Sequence, residues 1–108
     1  MKGLLWQRLP YEIDGYILDT LMRDLVGHDR QPSAYLVYLF LWTATHGQKT
    51  ASVQLALIDI AEGTGLSKRG VQDALSQLTK RKLIAVQRES ITAVPVYTVL
   101  RPWRRGGS

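Results

Sequence analysis

Few side chains in this sequence have the chemistry of a catalytic centre. The 108 residues include no cysteine and only two histidines, His28 and His46, which excludes a disulfide, a thiolate zinc site and a cysteine nucleophile. Asp24 and Asp29 lie near His28, but residues 27–32 have the composition of a surface loop. His46 precedes Gly47 at a predicted helix end, where histidine is common. We therefore expect no enzyme, and no bound metal or cofactor.

Side chains suited to a polyanion are concentrated after Ser67, which can cap a helix. Apolar residues at helical spacing predict a helix over 68–82 with these residues facing inward: Val71, Ala74, Leu75 and Leu78. Lys68, Arg69 and Gln72 point mostly the other way. Arginine can donate two hydrogen bonds to guanine O6 and N7, and glutamine can pair with adenine N6 and N7. The unpaired N–H groups at the start of this helix add partial positive charge.

The positive charge is confined to the same part of the chain. The net charge is +5, but residues 1–66 carry five Lys and Arg against seven Asp and Glu. Residues 67–108 carry nine Lys and Arg against two Asp and Glu. A small basic chain often meets a polyanion. The asymmetry predicts one basic surface, or else a solvated face together with a basic tail.

Two apolar helices are predicted before this basic part. The first begins near Pro10, covers about 11–26 and stops at Gly27, with apolar residues every four positions: Ile13, Ile17, Leu21 and Leu25. Ser33 can cap a second helix, 34–46, which ends at Gly47. Apolar residues on all of its sides indicate the central core helix, and its aromatic residues also suit an interface.

A tight turn and three strand-like runs complete the predicted elements. Gly65 allows a turn with positive φ between a short helix beginning near 57 and the helix 68–82. The run 52–55 alternates as a strand does, and 83–89 and 94–100 predict a hairpin across Ser90 to Ala93. Pro95 indicates that the last strand is an edge strand, or that the proline lies at the strand's mouth.

From residue 33 onward, this order of elements resembles the winged helix-turn-helix domain of bacterial regulators. The resemblance is carried by Ile60-Ala61-Glu62, Gly65-Leu66-Ser67, Val71, Ala74-Leu75, Leu78, Leu83-Ile84 and Pro95-Val96-Tyr97. It implies a mainly α fold with a small β wing (α+β), here with an extra N-terminal helix. The implied division is an N-terminal extension (1–32), a winged helix-turn-helix domain (33–100) and a basic flexible tail (101–108).

The resemblance also implies binding of double-stranded DNA, with the helix over about 68–82 in the major groove, as in a transcriptional regulator. The positions at which such helices meet DNA are held by Ser67, Lys68, Arg69, Gln72 and Ser76. Arg88, on the first strand of the wing, is a predicted phosphate contact. Further contacts to the DNA backbone are predicted for Lys80, Arg81, Arg101, Arg104 and Arg105. A cationic last helical turn and a solvated tail are competing interpretations of those five residues.

Three features depart from the family's pattern. Gly70 replaces a polar side chain, Asp73 puts an anion on the predicted DNA face, and the wing tip from Ser90 to Ala93 has no Lys or Arg. These departures favour an alternative, a winged helix that binds proteins. The sequence is also similar to modules of phage or plasmid replication initiation, which is the alternative within DNA binding.

Partners and location are expectations at this stage. A two-fold symmetric DNA site usually calls for a dimer, and the first helix is the candidate contact. The residues predicted to dock on a second copy are Leu18, Leu21, Met22 and Leu25, unless they cover the chain's own core. The apolar run from Ala34 to Ala44 is too short to cross a bilayer, and no export signal is present. We therefore expect a cytoplasmic protein, nucleoid-associated when bound to DNA.

Overall fold

The computed structural model describes residues 10–104 and combines helices with a small antiparallel sheet. A π-helical N-terminal helix comes first, in the segments Ile17–Leu21 and Arg23–His28. The elements that follow are α1 (Pro32–Ala44), a short 3-10 helix (His46–Gln48), β1 (Ser52–Gln54), α2 (Leu57–Thr64), α3 (Lys68–Lys80), β2 (Ile84–Gln87) and β3 (Val96–Val99). The α+β class predicted from the sequence is confirmed.

The N-terminal helix differs from the helix predicted over 11–26. It begins at Gly15 and ends at His28, so both predicted ends are wrong. The chain does not break at Gly27 because the backbone beyond it stays bonded: Asp29 N donates to Asp24 O at 2.8 Å, the i→i+5 bond of a π-helix. The predicted four-residue spacing is confirmed for the buried residues Ile17, Leu21 and Leu25, whereas Ile13 lies before the helix and is exposed.

This burial corrects the predicted dimer contact. Leu21 and Leu25 are 3% and 0% exposed and belong to the chain's own core, so they cannot dock on a second copy. Leu18 and Met22 lie on the other side of the helix, 50% and 42% exposed. The N-terminal helix therefore contributes to the same core as the segment predicted to form the domain.

Helix α1 is the central core helix, as predicted. Its buried residues are Ala34, Tyr35, Val37, Tyr38, Leu41 and Trp42. It begins at Pro32 with Gln31 as N-cap, so the predicted cap by Ser33 is wrong; proline suits the first position because it lacks an N–H and has a helical φ. Tyr38 Oη donates to Leu100 O at 2.8 Å and Tyr35 Oη to Ile17 O at 3.0 Å, which ties α1 to the end of the sheet and to the N-terminal helix.

The turn between α2 and α3 has the predicted geometry. Gly65 ends α2 with φ of 81°, a value that favours glycine. Ser67 caps α3, and its hydroxyl accepts a hydrogen bond of 3.0 Å from Gly70 N. Val71, Ala74 and Leu78 are buried as predicted, and Leu75 is half-buried.

The three strands form one antiparallel sheet in the order β1-β3-β2. Tyr97 of β3 is opposite Val53 of β1 and Val86 of β2. Because β3 lies between the other two strands, the edge position inferred from Pro95 is wrong. Pro95 precedes the first residue of β3, the other position that its missing N–H allows.

Residues 101–104 pack against the rest of the chain, which corrects the prediction of a flexible tail for this part. The Trp103 ring stacks on Tyr16 with centroids 4.7 Å apart and meets Tyr38 edge-on at 6.3 Å. Arg104 Nη2 and Nε donate to the carboxylate of Asp14 at 2.5 and 2.8 Å. Among the described helices, none has the length and apolar character needed to cross a membrane.

Candidate nucleic-acid interface

Helix α3 presents its polar face to solvent along its whole length. Lys68, Arg69, Gln72, Ser76 and Lys80 are all exposed. The opposite face is fixed in the core by Val71, Ala74 and Leu78, which leaves the helix no freedom to rotate these polar groups inward. The side chains predicted to meet DNA on α3 therefore share one exposed surface.

Gly70 keeps the start of this helix compact. A Cβ at position 70 would lie 3.2 Å from Ser67 Oγ, the atom that caps the helix. A side chain at this position would therefore require Ser67 Oγ to shift by a few tenths of an ångström. Ser67 is engaged as a cap through the hydrogen bond that it accepts from Gly70 N.

Arg69 and Asp73 form the one charge contact on this surface among residues 10–104. Arg69 Nε lies 3.7 Å from Asp73 Oδ1, one helical turn apart, and the two side chains are 85% and 61% exposed. An exposed pair of this kind contributes little to stability. Arg69 can therefore exchange Asp73 for another acceptor at small cost.

A groove of about 640 Å³ separates α3 from the sheet. Four residues that the sequence singled out line it: Gln72, Ser76 and Lys80 from α3, and Arg88 from the end of β2. Leu57, Leu75, Val86, Pro95 and Tyr97 form its apolar part. No carboxylate is among the described residues that line the groove, so its charged groups, Lys80 and Arg88, are both cationic.

Arg88 lies just beyond β2 rather than on the strand, which corrects its predicted place. Its Nη1 donates to Ile91 O at 3.4 Å, inside the connection between β2 and β3. The side chain thus stays at the mouth of the groove. Ile91, in the same connection, is 90% exposed.

Arg81 is drawn away from this surface. Its guanidinium donates from Nε and Nη2 to the Asp29 carboxylate at 2.8 and 2.7 Å. The hydrogen bonds from Arg81 hold the pKa of Asp29 far below its usual range, although burial acts in the opposite direction. This guanidinium is therefore held within the chain by Asp29, and its contact with the DNA backbone stays a prediction.

Two of the remaining predicted backbone contacts, Arg101 and Arg104, lie away from the α3 surface. Arg104 pairs with Asp14, and Arg101 lines a different pocket together with Lys49 and His46. Arg105 lies outside the described residues. The basic end of the chain and α3 are therefore two separate sites as far as residue 104.

Sequence reasoning missed two residues of this region. Thr79 lines the groove seven positions after Gln72, and extending the helical spacing from Gln72 and Ser76 would have found it. Asp29 was interpreted as a solvated loop residue, yet it anchors Arg81 and Gln77. No local pattern marks this role of Asp29, because Arg81 and Gln77 are about fifty positions away.

No cluster of three His, Asp or Glu side chains that could hold a metal occurs between residues 10 and 104. His46 Nε2 contacts Val99 O at 3.0 Å, and burial lowers the pKa of this histidine.

Compared with known proteins, the chain matches no family model, no curated protein and no solved structure. Its function has to be inferred from the surface of α3 and the groove beside it.

Proposed function

We propose that this chain is a winged helix-turn-helix protein that binds double-stranded DNA and acts as a transcriptional regulator. The observation that carries the proposal is the groove beside α3, where Gln72, Ser76, Lys80 and Arg88 converge and no carboxylate lies among the described lining residues. A surface of this composition suits a phosphate backbone next to exposed base edges.

Base readout in this proposal belongs to Arg69 and Gln72. The 13 residues of α3 give a helix of about 20 Å, long enough to lie in a major groove about 12 Å wide. Arg69 is mostly exposed and only loosely held by Asp73, so its fork is free to reach guanine. Gln72, one turn further on, is placed to pair with adenine.

Phosphate contacts in this proposal come from few cations. Lys68, Lys80 and Arg88 are exposed at the ends of α3 and at the mouth of the groove. Arg81 and Arg104 are already paired with carboxylates. Lys68, Lys80 and Arg88 together predict a log–log slope of affinity against salt of about −3, since each phosphate neutralised contributes about −0.9.

Fluorescence anisotropy of the full chain with labelled duplex DNA, repeated from 50 to 300 mM salt, tests this proposal. We expect saturable binding with a slope near −3, and the Lys80→Gln variant is expected to flatten the slope by about one. Lys49→Asn is the matched control, because it removes one charge away from α3 and keeps a residue that tolerates the positive φ at position 49. Absence of binding at the lowest salt would overturn the proposal.

We propose that DNA binding involves a homodimer formed by the outer face of the N-terminal helix. Leu18, Met22 and Val26 recur every four residues and are 50%, 42% and 39% exposed. Asp19 and Arg23 are also exposed on this helix and carry opposite charges. Two copies packed antiparallel would pair each arginine with the other copy's aspartate, so the face is complementary to itself.

Sedimentation at micromolar concentration tests the dimer. Met22→Lys is expected to give a monomer, whereas Ile58→Lys, which changes an equally exposed residue of α2 (43%), is expected to leave the dimer intact. A wild-type chain that sediments as a monomer, with and without DNA, would contradict this part of the proposal.

Protein binding is the second candidate function. Ile91, 90% exposed in the connection between β2 and β3, is an apolar residue where the family commonly has a cation. Capture of a partner protein by the wild-type chain but not by Ile91→Ser would favour this function, provided that the chain shows no salt-dependent binding to DNA.

Within DNA binding, a replication-initiation module is the alternative to a regulator. Selection of bound sequences from a random DNA pool would distinguish the two by the sites recovered.

A further inference from the structure

A second polar pocket lies at the other end of β3 from the groove. It has a volume of about 370 Å³ and is lined by residues from four parts of the chain, among them Glu12, Asp14, His46, Lys49, Arg101 and Arg104. It shares none of its lining residues with the groove beside α3. The proposed DNA interface therefore gives no account of it.

Arg101 is the unusual residue of this pocket. Its side-chain Nε is buried and has no hydrogen-bond partner. None of the ion pairs formed within residues 10–104 includes its guanidinium, unlike those of Arg81 and Arg104. A buried donor without an acceptor costs free energy, and the cost is greater for a charged group. The structure thus places beside this pocket a guanidinium whose Nε has no acceptor.

The charges around Arg101 favour an anion. Asp14 is occupied by Arg104 and by Trp103, whose Nε1 donates to it at 2.9 Å, and these hydrogen bonds lower the pKa of Asp14. Burial lowers the pKa of His46, so this ring adds no formal charge near neutral pH. Lys49 and Arg101 remain, with Glu12 as the one lining carboxylate that is not in an ion pair.

We propose that this pocket binds a small molecule through one oxyanion group, a phosphate or a carboxylate, held by the fork of Arg101 with Lys49 at the rim. Both oxyanions match the planar, bidentate geometry of a guanidinium. The volume limits the ligand to a small molecule, since drug-sized ligands occupy pockets of about 300–1,000 Å³. This site is independent of the proposed DNA binding.

The experiment titrates the full chain with inorganic phosphate, and separately with acetate, against sodium chloride at the same ionic strength. The indole N–H resonance of Trp42, a residue of the pocket wall, reports on occupancy and can be assigned with Trp42→Phe. We expect a saturable shift of this resonance with at least one of the two anions. We also expect the melting temperature to rise by several degrees when the anion concentration is about ten times its Kd.

Two variants of Arg101 decide the assignment. Arg101→Gln is expected to weaken binding at least tenfold, and Arg101→Lys, which keeps the charge but loses the fork, is expected to weaken it by a smaller factor. Arg30→Asn is the control, because it removes one exposed charge outside the pocket and asparagine tolerates the φ of 55° at this position. This variant should bind the anion as the wild type does. No saturable shift with either anion, or an equal response of Arg101→Gln and wild type, would overturn the proposal. If Arg101→Gln fails to fold, unchanged affinity of the folded Arg101→Lys would do so instead.

Discussion

The Arg81 guanidinium donates two hydrogen bonds, of 2.8 and 2.7 Å, to the carboxylate of Asp29, which lies 52 positions earlier in the sequence. The Asp29 side chain is 7% exposed and also accepts a hydrogen bond of 2.8 Å from Gln77 Nε2. Arg81 and Gln77 lie at the end of α3, and Asp29 follows the N-terminal helix. These hydrogen bonds connect α3, the proposed DNA-binding helix, to the N-terminal helix, which is proposed to form the dimer. They therefore fix the position of one helix relative to the other.

Asp29→Asn is expected to destabilise the chain by about 2 kcal/mol, because Arg81 and Gln77 lose the charged acceptor that they share. The cost is below that of a fully buried pair, since 34% of the Arg81 side chain reaches solvent. Urea unfolding followed by circular dichroism measures the change in the free energy of unfolding. Asp73→Asn, which removes the same charge from an exposed pair, should cost less than about 0.5 kcal/mol. If the two variants lowered the free energy of unfolding equally, the contact of Asp29 with Arg81 and Gln77 would not be a stabilising one.

The stability of the chain should fall in two stages as the pH decreases. Burial lowers the pKa of His46 in the folded state, so the unfolded chain binds the proton more readily and stability decreases below about pH 6.5. Asp29 and Asp14 also have lowered pKa values in the folded state. Their contribution to the free energy of unfolding is therefore complete above about pH 5 and is lost as the pH falls through and below about 3.9.

Two variants separate the stages in a series of urea titrations from pH 8 to pH 2.5. His46→Gln should remove the decrease that begins near pH 6.5 and leave the acid stage unchanged. Asp29→Asn should make the acid stage shallower and leave the first stage unchanged. A first stage that survives in His46→Gln would assign it to another group.

The parts of the fold that the sequence predicted are those specified locally. Gly65 and Ser67 mark the α2–α3 turn through their own conformational and capping preferences, so the turn was predicted correctly. Apolar residues every four positions placed Ile17, Leu21 and Leu25 on one buried face. The same spacing suits an α-helix and a π-helix, which is why the i→i+5 bonding went unpredicted.

The parts that the sequence did not predict depend on partners far along the chain. Arg104 is a solubilising charge in the sequence, and only the fold brings it to Asp14, 90 positions earlier. Arg81 likewise has the helix dipole as its local explanation, whereas its actual partner is Asp29. Cationic side chains on α3 and at the end of the chain are indistinguishable by composition, so the division of the basic residues between two sites required the structure.

Asp73→Asn is expected to strengthen DNA binding about threefold, although it removes a charged residue from α3. Asp73 holds Arg69 at 3.7 Å and repels phosphate, and both effects disappear in the variant. Arg69→Ala should weaken binding by about 1–3 kcal/mol and relax the preference at one base pair. Anisotropy titrations of both variants and of the Lys49→Asn control measure these changes. Weaker binding by Asp73→Asn would indicate instead that this carboxylate accepts a hydrogen bond from a base, as cytosine N4 can donate.

Two glycines in helices should respond to alanine with opposite signs. A Cβ at Gly63 of α2 would overlap the ring of Phe40 on α1, so α2 approaches α1 more closely than a side chain allows. Gly63→Ala is therefore expected to cost about 1–3 kcal/mol, the usual range for overpacking. A Cβ at Gly27 would meet nothing within 4 Å, and this residue lies inside the N-terminal helix.

Gly27→Ala is expected to stabilise the chain by about 0.5–1 kcal/mol, since alanine loses less conformational freedom in a helix. Urea midpoints of the two variants at one pH provide the comparison, and the slopes should stay equal to that of wild type. An unchanged midpoint for Gly63→Ala would mean that Phe40 swings away without cost. Gly63 lies two residues before Gly65, where α2 ends. A destabilised Gly63→Ala that still binds DNA with wild-type affinity when folded would therefore show that α3 keeps its position independently of how closely α2 packs on α1.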